Sequence, residues 1–288
     1  MSALVIGWEQ YQSTSYIPGN TFQKHVLAEG DSWFHFGYTP TLGAARNLID
    51  AISFKKSTVV ANIARTGDTI KHIADLEANP HLQQALAYRQ WDLILLSAGG
   101  NDLIDALTGD YRIHGQRIEI LNPSVSSPDF MAYVNSASLD SLLTHIAGYY
   151  QFVAEQRATL AHGLNLHTSI VAHCYDYITP RKAPARFFGL KLGPWAYRAF
   201  TAQKYQVPEA LWQDITDHIF RQLADRLLAL QTSIPGLLVI NTLDTLQRAE
   251  PGSKGDSRDW ANEIHPNAGG YTKLAKIKLS APINTALG

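Results

Sequence analysis

A chain with one cysteine cannot close a disulfide within itself, and Cys174 is the single cysteine of these 288 residues. It lies in the apolar run Ser169-Ile170-Val171-Ala172-His173-Cys174, so it reads as a buried, inert thiol. A disulfide framework is excluded and is not needed, because a chain of this length buries roughly three quarters of its unfolded surface. Charge of one sign is also missing. The 24 lysines and arginines against 25 acidic residues leave a net charge of -1. Nothing there draws the chain to nucleic acid or to an anionic membrane. No run approaches the roughly 18 apolar residues of a transmembrane helix. The segment Met1-Ser2-Ala3-Leu4-Val5-Ile6-Gly7-Trp8-Glu9-Gln10 has only a short apolar patch and no basic residue before it, which is not the grammar of a signal peptide. The expectation is a cytoplasmic protein, with export lacking a cleaved signal left open.

What is present is globular: 45% hydrophobic and 17% charged residues. No repeat, low-complexity segment or linker divides the chain, so one domain over 1–288 is expected. Five short apolar runs read as strands: His25–Gly30, Thr58–Ala64, Asp92–Ala98, Thr168–Cys174 and Leu237–Thr242. Their near-continuous hydrophobicity predicts a sheet covered on both faces, hence a parallel one. Helical patterns separate them, at Leu42–Ile52, Thr69–Leu76, His81–Tyr88, Phe130–Leu160, Glu209–Leu230 and Tyr271–Ile283. In Glu209–Leu230, Leu211, Ile215, Ile219, Leu223 and Leu227 recur every four residues, with Pro208 suited to the first turn. Such alternation predicts a three-layer α/β/α fold around a mostly parallel five-stranded sheet. Its active site should lie beyond the carboxyl ends of the strands. Two stretches read as insertions: Leu107–Asp129, rich in glycine and proline, and Thr179–Tyr205, basic and aromatic, a lid, an acyl-binding wall or a cover for the sheet edge.

Four segments carry polar residues at strand ends or just before the last helix. After the first strand comes Glu29-Gly30-Asp31-Ser32-Trp33, where Gly30 permits a sharp turn and Ser32 presents a hydroxyl, or caps a helix. After the second comes Asn62-Ile63-Ala64-Arg65-Thr66-Gly67-Asp68, where Gly67 offers a backbone N–H, or is a turn glycine. After the third comes Gly99-Gly100-Asn101-Asp102, where Asn101 offers a side-chain amide to a developing oxyanion, or a helix cap. Before the last helix comes Asn262-Glu263-Ile264-His265-Pro266-Asn267, with His265 held extended by Pro266.

In order and position these four segments resemble the four blocks of the SGNH hydrolases, also called GDSL-like lipases and esterases. Gly30-Asp31-Ser32 matches the first block, with Trp33 where leucine is commoner; Gly67 best matches the glycine of the second. Gly99-Gly100-Asn101-Asp102 matches Gly-x-Asn-Asp, and Asn262-Glu263-Ile264-His265-Pro266 matches Asp-x-x-His-Pro with asparagine in place of aspartate. The resemblance spans Ser32 to His265. It implies a flavodoxin-like fold and cleavage of carboxylic esters through an acyl-enzyme, with Ser32 as nucleophile and His265 as base. The oxyanion would be held by the Ser32 and Gly67 N–H groups and the Asn101 amide, with no metal or organic cofactor. The partner would be a small-molecule or lipid ester. Asp31 and Asp102 then read as structural.

Asn262 departs from the family pattern, since an amide carries no charge to stabilise an imidazolium. By position Asn262 orients His265, through its side-chain or main-chain oxygen. Asp259 is the alternative orienter if the loop folds back, and Glu263 would share a side with His265 in an extended segment. Two other readings keep the fold: an acyltransferase, and a binding protein whose triad has weakened. A nucleotide binder is disfavoured, because Gly30-Asp31-Ser32-Trp33-Phe34-His35 cradles no phosphate. His35, His114 and His173 have no metal-ligand spacing. Tyr175-Asp176-Tyr177 either lines the cleft or packs a loop.

Overall fold

The structure is a computed structural model that describes residues 1–13, 21–35, 47–187 and 190–288. Six parallel strands form one sheet: β1 (Leu4–Gly7), β2 (Lys24–Gly30), β3 (Thr58–Asn62), β4 (Leu93–Ser97), β5 (Ile170–His173) and β6 (Leu237–Ile240). Their order across the sheet is β1-β3-β2-β4-β5-β6. The five expected strands are present, in the flavodoxin-like order, and the sixth is the correction. The N-terminal apolar patch is an edge strand, with Leu4–Gly7 paired to Val59–Asn62. At four residues, with only Ile6 buried, it is too short and too exposed to show the continuous apolar signature of the inner strands. In β4, by contrast, all five residues Leu93–Ser97 are buried.

Helices cover both faces. One layer packs α4 (Ile70–Ala74) and α5 (Pro80–Tyr88) against α7 (Ser136–Gly163), which also meets α6 (Gly100–Thr108) and α9 (Trp212–Leu230). The other contains α3 (Leu48–Ala51) against α10 (Ala268–Leu274) and the π-turn Ala275–Leu279 that leads into α11 (Ser280–Ala286). The short helices α1 (Trp8–Gln12), α2 (Ser32–His35) and α8 (Ala196–Thr201) complete the set described. Residues 42–46 of the expected helix Leu42–Ile52 lie outside the described residues, and Leu48–Ala51 is its helical remainder.

The expected helix Phe130–Leu160 is divided. A 3-10 turn, Phe130–Tyr133, precedes α7, whose first turn is capped by the Asn135 side chain accepting from Ser138 N–H. The last helix begins earlier than Tyr271 because Asn267 caps it, its Oδ1 accepting from Gly270 N–H. Helix α6 was not expected. The sequence offers a helix only as the alternative reading of Asn101 as a cap, and the helix in fact begins one residue earlier, at Gly100, after Gly99 at φ +101°. Glycine is required at 100, because a Cβ there would lie 2.7 Å from the Tyr175 ring. The insertions hold two small hairpins, Arg112–Ile113 with Gln116–Arg117 and Ala185–Phe187 with Leu190–Leu192, and the second also holds α8.

The strand order changes direction beside β2, with β3 on one side and β4 on the other. In open α/β sheets ligands bind outside the carboxyl ends of the strands at such a switch point. Ser32 follows the last residue of β2 by two positions.

Candidate active site

Four of the sequence-derived residues meet at this switch point. The turn after β2 is forced by a close approach. Gly30, at φ +156°, lies opposite Ser97 of β4, and a Cβ on it would stand 2.6 Å from the Ser97 carbonyl oxygen. Asp31 then caps the turn. Its Oδ1 accepts from Trp33 N–H at 3.0 Å and from Ser97 Oγ at 2.8 Å, and its Oδ2 from the Tyr175 hydroxyl at 2.5 Å. His173 continues the network. Its Nδ1 accepts from Tyr175 N–H, so Nε2 carries the proton that faces Ser97 Oγ at 2.9 Å. Asp31 is thus structural, as the sequence suggests, and Tyr175 does both things proposed for it. It anchors Asp31 and lines the cleft beside Ser32. Asp176 has the packing role, its carboxylate accepting from the N–H groups of Tyr177, Asp244, Thr245 and Leu246.

His265 reaches Ser32 from the last loop before α10. Its Nε2 lies 2.8 Å from Ser32 Oγ, and its Nδ1 lies 3.0 Å from Asn262 Oδ1. The same Oδ1 accepts the backbone N–H groups of Ile264 at 3.1 Å and His265 at 3.0 Å. Two backbone donors pin the amide oxygen, and not the NH2, toward the ring. Nδ1 is therefore the protonated nitrogen, and Nε2 is left as an acceptor for the serine hydroxyl. Burial pushes the His265 imidazole down to about 3, so it is neutral around pH 7. Ser32 and His265 are 4% and 3% exposed.

The other orienters proposed for His265 are engaged elsewhere. Asp259 Oδ2 accepts from Gln247 N–H and pairs with Lys273 Nζ at 2.8 Å. The Asn262 main-chain carbonyl accepts from Arg181 Nη2 at 2.7 Å. Glu263 does not share a side with His265. The segment is a tight turn closed by Ala261 N–H to the His265 carbonyl, not an extended strand. The Glu263 carboxylate points into the insertion, where it takes the N–H groups of Arg181, Trp195, Ala196 and Tyr197. Burial pushes its carboxyl up to about 7, against the opposing pull of those four donors.

The oxyanion candidates come from β3 and α6. Gly67 has φ +88° and open space where a Cβ would be, so backbone conformation is what calls for glycine there. Its loop is tied down twice: Arg65 N–H donates to the Gly30 carbonyl, and Asn101 Nδ2 donates to the Asp68 carbonyl at 2.9 Å. That bond uses one of the two Asn101 amide hydrogens and leaves the other for the cleft, which Asn101 lines together with Ser32. Gly67 is not in the cleft wall. Asp102 holds the start of α4 through Ile70 N–H at 2.8 Å, and burial pushes its carboxyl up to about 7.

Arg181 and the indole of Trp33 were assigned no role from sequence, and Glu263 was weighed only as an orienter of His265. Trp33 Nε1 donates to the Ile264 carbonyl at 3.2 Å and so links the serine turn to the histidine loop. An arginine and a glutamate in surface-like segments give no sequence signal of complete burial. Trp33 gave one, as the departure from the usual leucine.

No family model matches the sequence, and no curated protein matches it. Solved structures do match. A lipase from goat rumen metagenome aligns at TM-score 0.50 and 14% identity over 91% of this chain and 97% of its own. An extracellular lipase from Streptomyces rimosus aligns at 0.43 and 15% over 91% and 99%. A protein described as an SGNH hydrolase, from Slackia heliotrinireducens, aligns at 0.43 and 14% over 92% and 99%. At such identities a likeness is one of fold. The chain shares the three-layer α/β fold of the goat-rumen lipase, which bears out, at the level of the fold, the resemblance read from the four sequence blocks.

Proposed function

We propose that this protein is a serine hydrolase of carboxylic esters, of SGNH type, acting through an acyl-enzyme on Ser32. The observation that carries the reading is the continuous hydrogen-bonded line Asn262 Oδ1–His265–Ser32 Oγ, with the tautomer fixed by the backbone. His265 Nε2 takes the hydroxyl proton as Ser32 Oγ attacks the ester carbonyl. The tetrahedral oxyanion is held by the Ser32 N–H and the second hydrogen of the Asn101 amide, both in the cleft wall, while Gly67 lies outside that wall and is not counted as a donor. Each such donor is typically worth ~3 kcal/mol of barrier. His265 returns the proton to the departing alcohol. Water then attacks the acyl-serine with His265 again as base.

The cleft at Ser32 is walled by Ile104, Tyr175, Ile178, Phe220 and Ile264, and its free volume is about 20 Å³. That is room for about one water, which favours a short acyl group. With p-nitrophenyl esters from acetate to a long-chain acyl, we expect hydrolysis highest at acetate and absent in Ser32→Ala. No release from the wild type at any chain length would overturn the reading.

A further inference from the structure

A second cavity, of about 680 Å³, has Asn262 in its wall. It is lined by Lys182, Arg186, Lys191 and Lys254, and also by Gly255, Asp256, Ala261 and Asn262. Four cations thus face one carboxylate, and Asp256 already accepts from Asn267 Nδ2 at 3.0 Å. Among the described residues none of the four cations makes an ion pair or hydrogen bond. A fifth, Arg181, is buried at the edge of this cavity, donating to the Gly255 and Asn262 carbonyls. The concentration is local. From Asp176 to Glu209 the chain carries six lysines and arginines (Arg181, Lys182, Arg186, Lys191, Arg198 and Lys204) and no acidic residue between them, in a protein of net charge -1. A concave wall of one sign focuses the field on whatever enters it.

We propose that this cavity binds a phosphate- or carboxylate-type anion against Asn262. Asn262 Oδ1 is turned to His265, while its Nδ2 makes no hydrogen bond among the described residues and belongs to a residue of the cavity wall. An anion held by the lysines accepts that N–H and places a negative charge one amide away from the imidazole. This is the charge that an aspartate at 262 would supply and that asparagine lacks. The consequence for His265 rests on the function proposed above; the binding does not. Two sources share this chemistry: a free inorganic anion, and an anionic group carried by the ester substrate.

The test is calorimetric titration with inorganic phosphate at low salt, on the wild type, on Ser32→Ala and on a Lys182→Gln/Lys191→Gln/Lys254→Gln variant. All three lysines are exposed, so the variant should fold. We expect saturable one-to-one binding to the wild type and to Ser32→Ala, weakened by added chloride. In the triple variant affinity should fall about tenfold or more, since three exposed cations that pair with the anion are removed. Absence of saturable binding, or equal binding by the triple variant, overturns the proposal whether or not the protein proves to be an esterase. Kinetics separate the sources. Phosphate that speeds hydrolysis of p-nitrophenyl acetate in the wild type but not in the triple variant identifies a free anion. A lower KM for the p-nitrophenyl monoester of succinate, lost in the triple variant, identifies the substrate's own charge.

Discussion

The two sides of the Ser32–His265 pair are held by different means. The serine side is built into the sheet. Gly30 abuts Ser97 on the next strand, and Asp31 is locked by Ser97 and Tyr175 from β4 and the end of β5. The histidine side is a loop without regular structure, held from outside by an insertion. Arg181 ties the carbonyls of Gly255 and Asn262, and Glu263 gathers four N–H groups on the other flank. Besides the Ser32–His265 hydrogen bond itself, the Trp33 indole, through the Ile264 carbonyl, links the two. A serine fixed by close-packed backbone tolerates little change. A histidine fixed by side chains of an insertion can be tuned, and both its neutral partner Asn262 and the basic cavity lie on that side.

Substitutions on each side should separate these modes. The largest effect is expected from Gly30→Ala, whose Cβ cannot clear the Ser97 backbone. Unfolding by denaturant should show a loss of roughly 3 kcal/mol, and ester hydrolysis should vanish with it. Arg181→Met should leave the sheet in place while releasing the histidine loop. We expect kcat to drop about a hundredfold with KM little changed, because a misplaced base can cost that much. A parallel loss of global stability as large as that of Gly30→Ala would erase the contrast.

Asn262→Asp changes charge without changing shape. A hydrogen bond to a charged group exceeds a neutral one by about 1 kcal/mol or more, so kcat should rise about tenfold. A rate unchanged or lowered would mean that the neutral amide already serves His265 as well as a carboxylate does.

The smallest effect is on stability against pH. On the serine side burial pushes Glu29 up to about 8, Asp102 to about 7 and Asp31 to about 6. The folded chain therefore keeps protons that the unfolded chain releases above the ordinary carboxylate values of 3.8 to 4.5. Stability from these groups is complete below those values and is lost as pH rises through 6 to 8. His173 and His265 act in the opposite sense. Burial lowers both from 6.5 to about 3, so their contribution is lost as pH falls from 6.5 toward 3. Melting temperatures measured between pH 6 and 9 should decline, and Glu29→Gln should flatten the upper end of that decline.

The same division separates what the sequence revealed from what it hid. The inner strands announce themselves by continuous apolar runs, and the strand-end motifs around Ser32, Gly67 and Asn101 carry small or capping residues whose local requirements are legible. The edge strand Leu4–Gly7 is hidden because half-exposed pairing leaves no apolar run. Helix α6 is hidden because its opening glycines answer to a contact with Tyr175, which is 75 residues away from Gly100. On the histidine side Asn262 is legible by its spacing from His265. Arg181 and Glu263 are not, since their burial is created by a long-range fit between two loops.

The most direct measurement is intact and peptide mass spectrometry after treatment with an activated phosphate triester, diethyl p-nitrophenyl phosphate. We expect one diethylphosphoryl adduct per chain, on Ser32, absent in Ser32→Ala and strongly slowed in His265→Ala. No adduct on the wild type, or an adduct on another residue that survives Ser32→Ala, would contradict the assignment of Ser32 as the nucleophile.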